Sequence, residues 1–166
     1  MIISKSPLRI SIAGGGTDLP SYYNLRGRGK TISLAINKYI YIIIKENHLD
    51  RHSIKYSAME SVDYFQNIRH PIFREALQPF EDENKKIEVI SVGDFSSGTG
   101  LGSSGAFTVS LLNACSIFYS QPLDTYSIAD NACKIEIDKL KQIEFLRQPS
   151  LSCFIDYIIT QQTIKI

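Results

Sequence analysis

Between Gly98 and Gly105 the chain places four glycines and three hydroxyls, Thr99, Ser103 and Ser104, directly before an apolar helical stretch. No other feature restricts the chain as much. A strand over Ile87–Val92 leads into this segment. From Ser104 to Tyr119, residues Phe107, Val109, Leu111, Leu112, Ala114, Cys115 and Phe118 predict a largely buried helix after it. Glycines let backbone N–H groups approach a polyphosphate, and the positive end of the helix dipole faces the same charge. The expected ligand is a nucleotide, with Ser103 or Ser104 offering a hydroxyl to a phosphate or to magnesium.

Other phosphate loops fit less well. Gly100-x-Gly102-x-x-Gly105 satisfies the dinucleotide fingerprint, but there the first glycine closes the strand, whereas Gly93–Thr99 intervene here. The acidic residue expected downstream would be Asp124, better read as a helix cap. A Walker loop needs Gly-Lys-Ser/Thr, and Gly102 is followed by Ser103-Ser104. No His-Arg-Asp or Asp-Phe-Gly segment follows, as a protein kinase would require. The bland alternative, a glycine-serine linker without a ligand, sits poorly between a strand and an apolar helix.

The rest of the chain is ordinary for one globular domain: 166 residues, 43% hydrophobic and 21% charged. Eighteen basic against seventeen acidic residues leave a net charge of +1, which gives no whole-chain field for nucleic acid or a membrane surface. Cys115, Cys133 and Cys153 form no C-x-x-C pair, no signal-peptide pattern opens the chain, and a cytoplasmic protein is expected. The longest apolar runs, such as Tyr39–Ile44, are too short to span a bilayer.

Strands are predicted over Leu8–Ala13, Thr31–Ile36, Tyr39–Lys45 (joined to the previous one at Asn37-Lys38) and Ser53–Ser57. A helix from Pro71 to Leu77 precedes a solvated acidic loop, Glu81-Asp82-Glu83, and Asp124 caps another helix running to about Leu140. Strands first and helices later suggest an α+β fold. His48 and His52 have i, i+4 spacing but fall in a polar connection, so a surface loop is expected rather than a metal-binding helix.

A second motif, Pro7-Leu8-Arg9-Ile10-Ser11-Ile12-Ala13-Gly14-Gly15-Gly16-Thr17-Asp18, precedes the glycine loop. Together and in this order the two resemble the sugar motif and the ATP loop, G-x-G-L-G-S-S-x-A, of the GHMP small-molecule kinases. Galactokinases carry Glu and His where Gly15 and Gly16 stand. The version here is similar to the branch of heptose phosphate and fucose kinases. Loss of two side chains leaves backbone N–H groups and volume, which suits a longer or phosphorylated sugar.

The resemblance implies an α+β GHMP kinase N-terminal domain over residues 1–140, with a mixed sheet and helices packed on one side. It also implies ATP-dependent, magnesium-assisted phosphorylation of a small sugar or sugar phosphate, foremost heptose 7-phosphate at its anomeric hydroxyl. Gly98, Thr99, Gly100, Leu101, Gly102, Ser103, Ser104 and Gly105 would bind ATP, and Gly14, Gly15, Gly16, Thr17 and Asp18 the sugar. Arg9 would be the catalytic cation beside the transferred group, and Ser104 and Glu136 the metal ligands, with a solvated helix face as the alternative for Glu136.

The pattern also breaks. Family members carry an aspartate and a glycine near the segment Ile143–Ser150, and neither stands there. All ten glycines lie at or before Gly105. Residues 141–166 are expected to be a divergent tail and the family's C-terminal domain to be absent, which leaves apolar surface for self-association. A catalytically silent fragment that keeps partial ATP or sugar binding is the competing expectation, as is another GHMP sugar kinase acting on fucose.

Overall fold

The computed structural model describes residues 1–15, 17, 22, 25–95, 98–136 and 162–165. Six strands form one mixed sheet: β1 (Ile2–Ala13), β2 (Ile32–Glu46), β3 (His52–Lys55), β4 (Met59–Val62), β5 (Ile87–Gly93) and β6 (Gln162–Lys165). Their order is β4-β3-β5-β2-β1-β6. Only the β3–β5 pair is parallel; the others are antiparallel. Helix α1 (Pro71–Leu77) starts at Pro71 behind the His70 cap, and α2 (Ser103–Phe118) lies across β1 and β2. Helix α3 (Thr125–Lys134) packs on α2, as α1 does. The fold is the expected α+β arrangement.

Helix α2 is buried from Gly105 to Ser116 without a break. A helix enclosed on all sides needs no polar face, and its small polar residues are used internally. Ser110 Oγ lies 3.1 Å from Ser4 Oγ of β1, and Asn113 donates to the same serine. The core joins Ile40, Ile42 and Ile44 of β2 and Val89 of β5 to Leu111 and Leu112 of α2.

Two expected strands are one. The polar pair Asn37-Lys38 does not turn the chain, because the register shift between Pro7 and Arg9 absorbs it. From Pro7↔Tyr39 to Arg9↔Ala35, β2 advances four residues while β1 advances two. This bulge also reverses which face β1 presents. Before it, Ser4 and Ser6 are buried, with Ser4 against α2; after it, Arg9 is only 4% exposed while Ile10 and Ile12 face solvent.

A second correction concerns the histidines. His48 is exposed, but His52 opens β3 fully buried, with its ring 4.1 Å from that of Phe65. Its Nδ1 accepts from the Ile87 N–H at 3.3 Å, and Nε2 lies 3.9 Å from Glu81. Glu81 is also less solvated than its acidic neighbours suggest, because it accepts from the Phe65 N–H. Residues 162–165, at the end of the expected tail, add a strand beside β1. The Ile143–Ser150 segment lies outside the described residues, as does Cys153. Among the described residues no helix is long and apolar enough to cross a membrane.

Candidate active site

The chain leaves β5 anchored. Asp94 donates its N–H to the Tyr39 carbonyl and accepts the Tyr39 N–H at 2.9 Å, which fixes the point where the glycine loop departs. Gly98, Gly100 and Gly102 then take φ of 85°, 74° and 71°. Alternating left-handed residues build backbone concavities for anions, and only glycine adopts this conformation without strain. Gly102 is the N-cap of α2 and supplies no side chain to its first turn. The leading N–H groups of a helix have no intrahelical acceptor, so this end is open to an anionic ligand. Gly98, Thr99 and Gly100 are exposed, Leu101 to Ser104 half-buried, and Gly105 buried.

Arg9 ties β1 to this loop. Its N–H donates to the Leu101 carbonyl at 3.0 Å. Its side chain lies along Gly102, where an added Cβ would stand 3.0 Å from Cγ and 3.1 Å from Nε. Nη1 donates to Ser11 Oγ at 2.8 Å, and Ser11 Oγ lies 2.8 Å from Ser33 Oγ of β2. The guanidinium thus sets a cation directly beside the loop.

At the other end of α2's first turn, Ser104 Oγ donates to Glu136 Oε1 at 2.7 Å. Thr108 Oγ1 lies 2.9 Å from the Ser104 carbonyl and 3.2 Å from the same carboxylate oxygen, so one proton serves both acceptors. Glu136 is 5% exposed, which removes the solvated-face alternative. A carboxylate this buried is costly without partners, and the hydroxyls supply them. The packing of α3 on α2 brings these residues together across 32 positions of sequence.

A hydroxyl and a carboxylate are hard oxygen donors beside a phosphate-type loop, and this donor set fits magnesium. Among the described residues no cluster of three or more His, Cys, Asp or Glu could hold a metal; magnesium commonly keeps waters and takes phosphate oxygens beside one or two carboxylates.

The Pro7–Asp18 motif continues past β1. Gly14 has φ 78°, and a Cβ there would stand 1.9 Å from the Lys30 carbonyl oxygen. Thr17 closes the turn: its N–H donates to the Gly14 carbonyl, and its Oγ1 lies 2.8 Å from that oxygen and 3.0 Å from the Lys30 carbonyl. Gly15 is exposed in this turn; Gly16 and Asp18 lie outside the described residues. The structure thus joins Arg9 to Leu101 and Gly102, and Ser104 to Glu136, and sets Gly14 and Thr17 at the far end of β1. Sequence reasoning missed Thr108, Ser11 and Ser33, whose hydroxyls carry no spacing signal.

Residues 64–142 match the family model of the GHMP kinases N terminal domain. Over these residues, and in its fold, the chain is similar to the N-terminal domains of GHMP kinases. Among its relatives is a D-glycero-alpha-D-manno-heptose 7-phosphate kinase of Campylobacter jejuni. It is 27% identical over 150 residues, covering 84% of this chain and 44% of that protein. The crystal structure of a D-glycero-D-manno-heptose 1-phosphate kinase from Bacteroides thetaiotaomicron superposes with a TM-score of 0.77 at 26% identity, covering 93% of this chain and 52% of that one. The Methanococcus jannaschii mevalonate kinase shares the fold at 21% identity and a TM-score of 0.71, with 99% of this chain and 53% of that chain covered. The chain spans about half the length of these relatives.

Proposed function

We propose that this chain carries the nucleotide- and sugar-binding site of an ATP-dependent kinase that phosphorylates a sugar phosphate of the heptose 7-phosphate type at the anomeric hydroxyl. The observation that carries this reading is the Ser104–Glu136 pair, 2.7 Å apart at the start of α2 behind a loop of left-handed glycines. The names of the relatives at 26–27% identity support the sugar class.

Each residue has a defined task. The loop from Gly98 to Gly105 holds the ATP phosphates on backbone N–H groups. Ser104 and Glu136 would hold magnesium. Bound with ATP, magnesium neutralises charge on the phosphoryl group in flight. Arg9, fixed by Ser11 and by the Leu101 carbonyl, sets a cation beside the loop. Gly14, Gly15 and Thr17, with Gly16 and Asp18, hold the sugar. Phosphoryl transfer depends mainly on such positioning and charge neutralisation.

The test is ATP consumption by the purified chain with heptose 7-phosphate, with and without magnesium, beside its melting temperature with Mg·ATP. Magnesium-dependent turnover that Ser104→Ala and Glu136→Gln both abolish is the expected result. Stabilisation by Mg·ATP without turnover would leave a nucleotide-binding chain and remove the transferase assignment; absence of both effects overturns the reading entirely.

A further inference from the structure

We propose that Arg26, Arg28 and Lys30, in the connection between β1 and β2, form a subsite for the phosphate already present on a sugar phosphate substrate. The inference rests on the kinase reading above and assigns the second anion of its substrate.

The first observation is packing. This connection is locked onto the sugar motif by two glycines that approach each other's segments more closely than any side chain permits. A Cβ on Gly14 would stand 1.9 Å from the Lys30 carbonyl oxygen, and one on Gly29 would stand 2.0 Å from the Thr17 carbonyl oxygen. Thr17 Oγ1 adds a hydrogen bond to the Lys30 carbonyl, and Thr31 Oγ1 donates to the Ala13 carbonyl. The loop is therefore a wall of the sugar motif.

The second observation is charge. Arg26, Arg28 and Lys30 alternate with Gly27 and Gly29, and all three cations are exposed. None forms an ion pair with a described residue. In a chain of net charge +1 this is a local concentration of positive charge at one turn. A neutral sugar gains little from it. A phosphate monoester accepts charge-assisted hydrogen bonds from arginine forks and a lysine.

The third observation is spacing. Arg9 and the ATP loop meet β1 five residues before Gly14, roughly 16 Å along an extended strand. Two cationic stations thus stand at opposite ends of one strand segment. A sugar phosphate is shorter than this span, and the long arginine and lysine side chains close the difference: the acceptor hydroxyl at one end faces the ATP loop, and the resident phosphate at the other faces Arg26, Arg28 and Lys30.

Titration calorimetry of the full chain in the presence of magnesium and a non-hydrolysable ATP analogue tests this. The probes are D-glycero-D-manno-heptose 7-phosphate and the same heptose without its phosphate. The wild-type chain should bind the phosphorylated probe at least about tenfold more tightly. In Arg26→Gln/Arg28→Gln/Lys30→Gln that ratio should fall to near unity while binding of the nucleotide analogue persists, and Arg26→Lys/Arg28→Lys should restore the preference. If the triple variant melts early, Arg26→Gln and Arg28→Gln singly give the same ratio test, each with a partial loss. A triple variant that keeps the full preference overturns the subsite. So does a wild-type chain that binds the nucleotide analogue but neither sugar, an outcome that leaves the nucleotide site standing. A wild-type chain that binds no nucleotide overturns the kinase reading itself.

Discussion

At the scale of single residues, two buried polar groups carry measurable consequences. His52 is wholly buried, and desolvation, aided by the nearby Lys86 charge and opposed by Asp63, lowers its pKa from 6.5 to about 4. Because the folded value lies below the unfolded one, the unfolded chain binds a proton that the folded chain refuses between these two values, and stability rises with pH across that window. Stability is therefore fully present above about pH 6.5 and declines as pH falls to about 4, by about 3 kcal/mol. Urea denaturation from neutrality to about pH 4 should show this loss in the wild type and a shallower one in His52→Phe. Equal slopes in the two proteins would contradict a neutral buried His52. Thr108 is the second case. Its hydroxyl serves both the Ser104 carbonyl and the Glu136 carboxylate, so Thr108→Val should cost about 1–3 kcal/mol and Thr108→Ser much less, read from the same denaturation midpoints.

At the scale of elements, the join between the glycine loop and α2 can be tested against an ordinary helix start. Gly102 combines φ 71° with close contact to Arg9. Gly102→Ala should therefore destabilise by about 1–2 kcal/mol from backbone strain alone, and displacing Arg9 should also reduce stabilisation by Mg·ATP. Asp124 caps α3 through its carboxylate, which accepts from the Tyr126 and Ser127 N–H groups. Asp124→Ala should cost about 1 kcal/mol and leave the response to Mg·ATP intact, since its carboxylate serves the first turn of α3. Thermal melts of both variants with and without Mg·ATP check the pair. These two starts differ in how well sequence foretells them. The Asp124 cap and the Pro71 start of α1 follow from local chemistry and stand where the sequence put them. The continuity of β2 does not, because Asn37-Lys38 has turn-like composition and only pairing with β1 shows that a bulge absorbs it. The burial of Arg9 has the same origin, since a register shift sets it and no alternation pattern contains it.

At the scale of the whole molecule, the candidate site is assembled from parts whose residue types were visible in sequence and whose proximity was not. The glycine loop declared itself by composition, whereas Glu136 was singled out only by likeness to a family. Its distance to Ser104 follows from α3 packing on α2, which no spacing rule supplies. The same packing yields a test of the assembly. A ligand that engages both Ser104 and Glu136 joins the start of α2 to the residues that follow α3, so it should restrain α3 as well as the glycine loop. Hydrogen exchange followed by mass spectrometry should show slower exchange with Mg·ATP at the first turn of α2 and over residues 125–136, and little change at β3 and β4, which contribute nothing to the site. Replacing magnesium with EDTA while keeping ATP should preserve protection at the loop and release it at 125–136. Glu136→Gln should mimic that release with magnesium present. Protection of α3 that persists in EDTA would mean that the phosphates alone order both helices and that Ser104 and Glu136 do not act together on a metal.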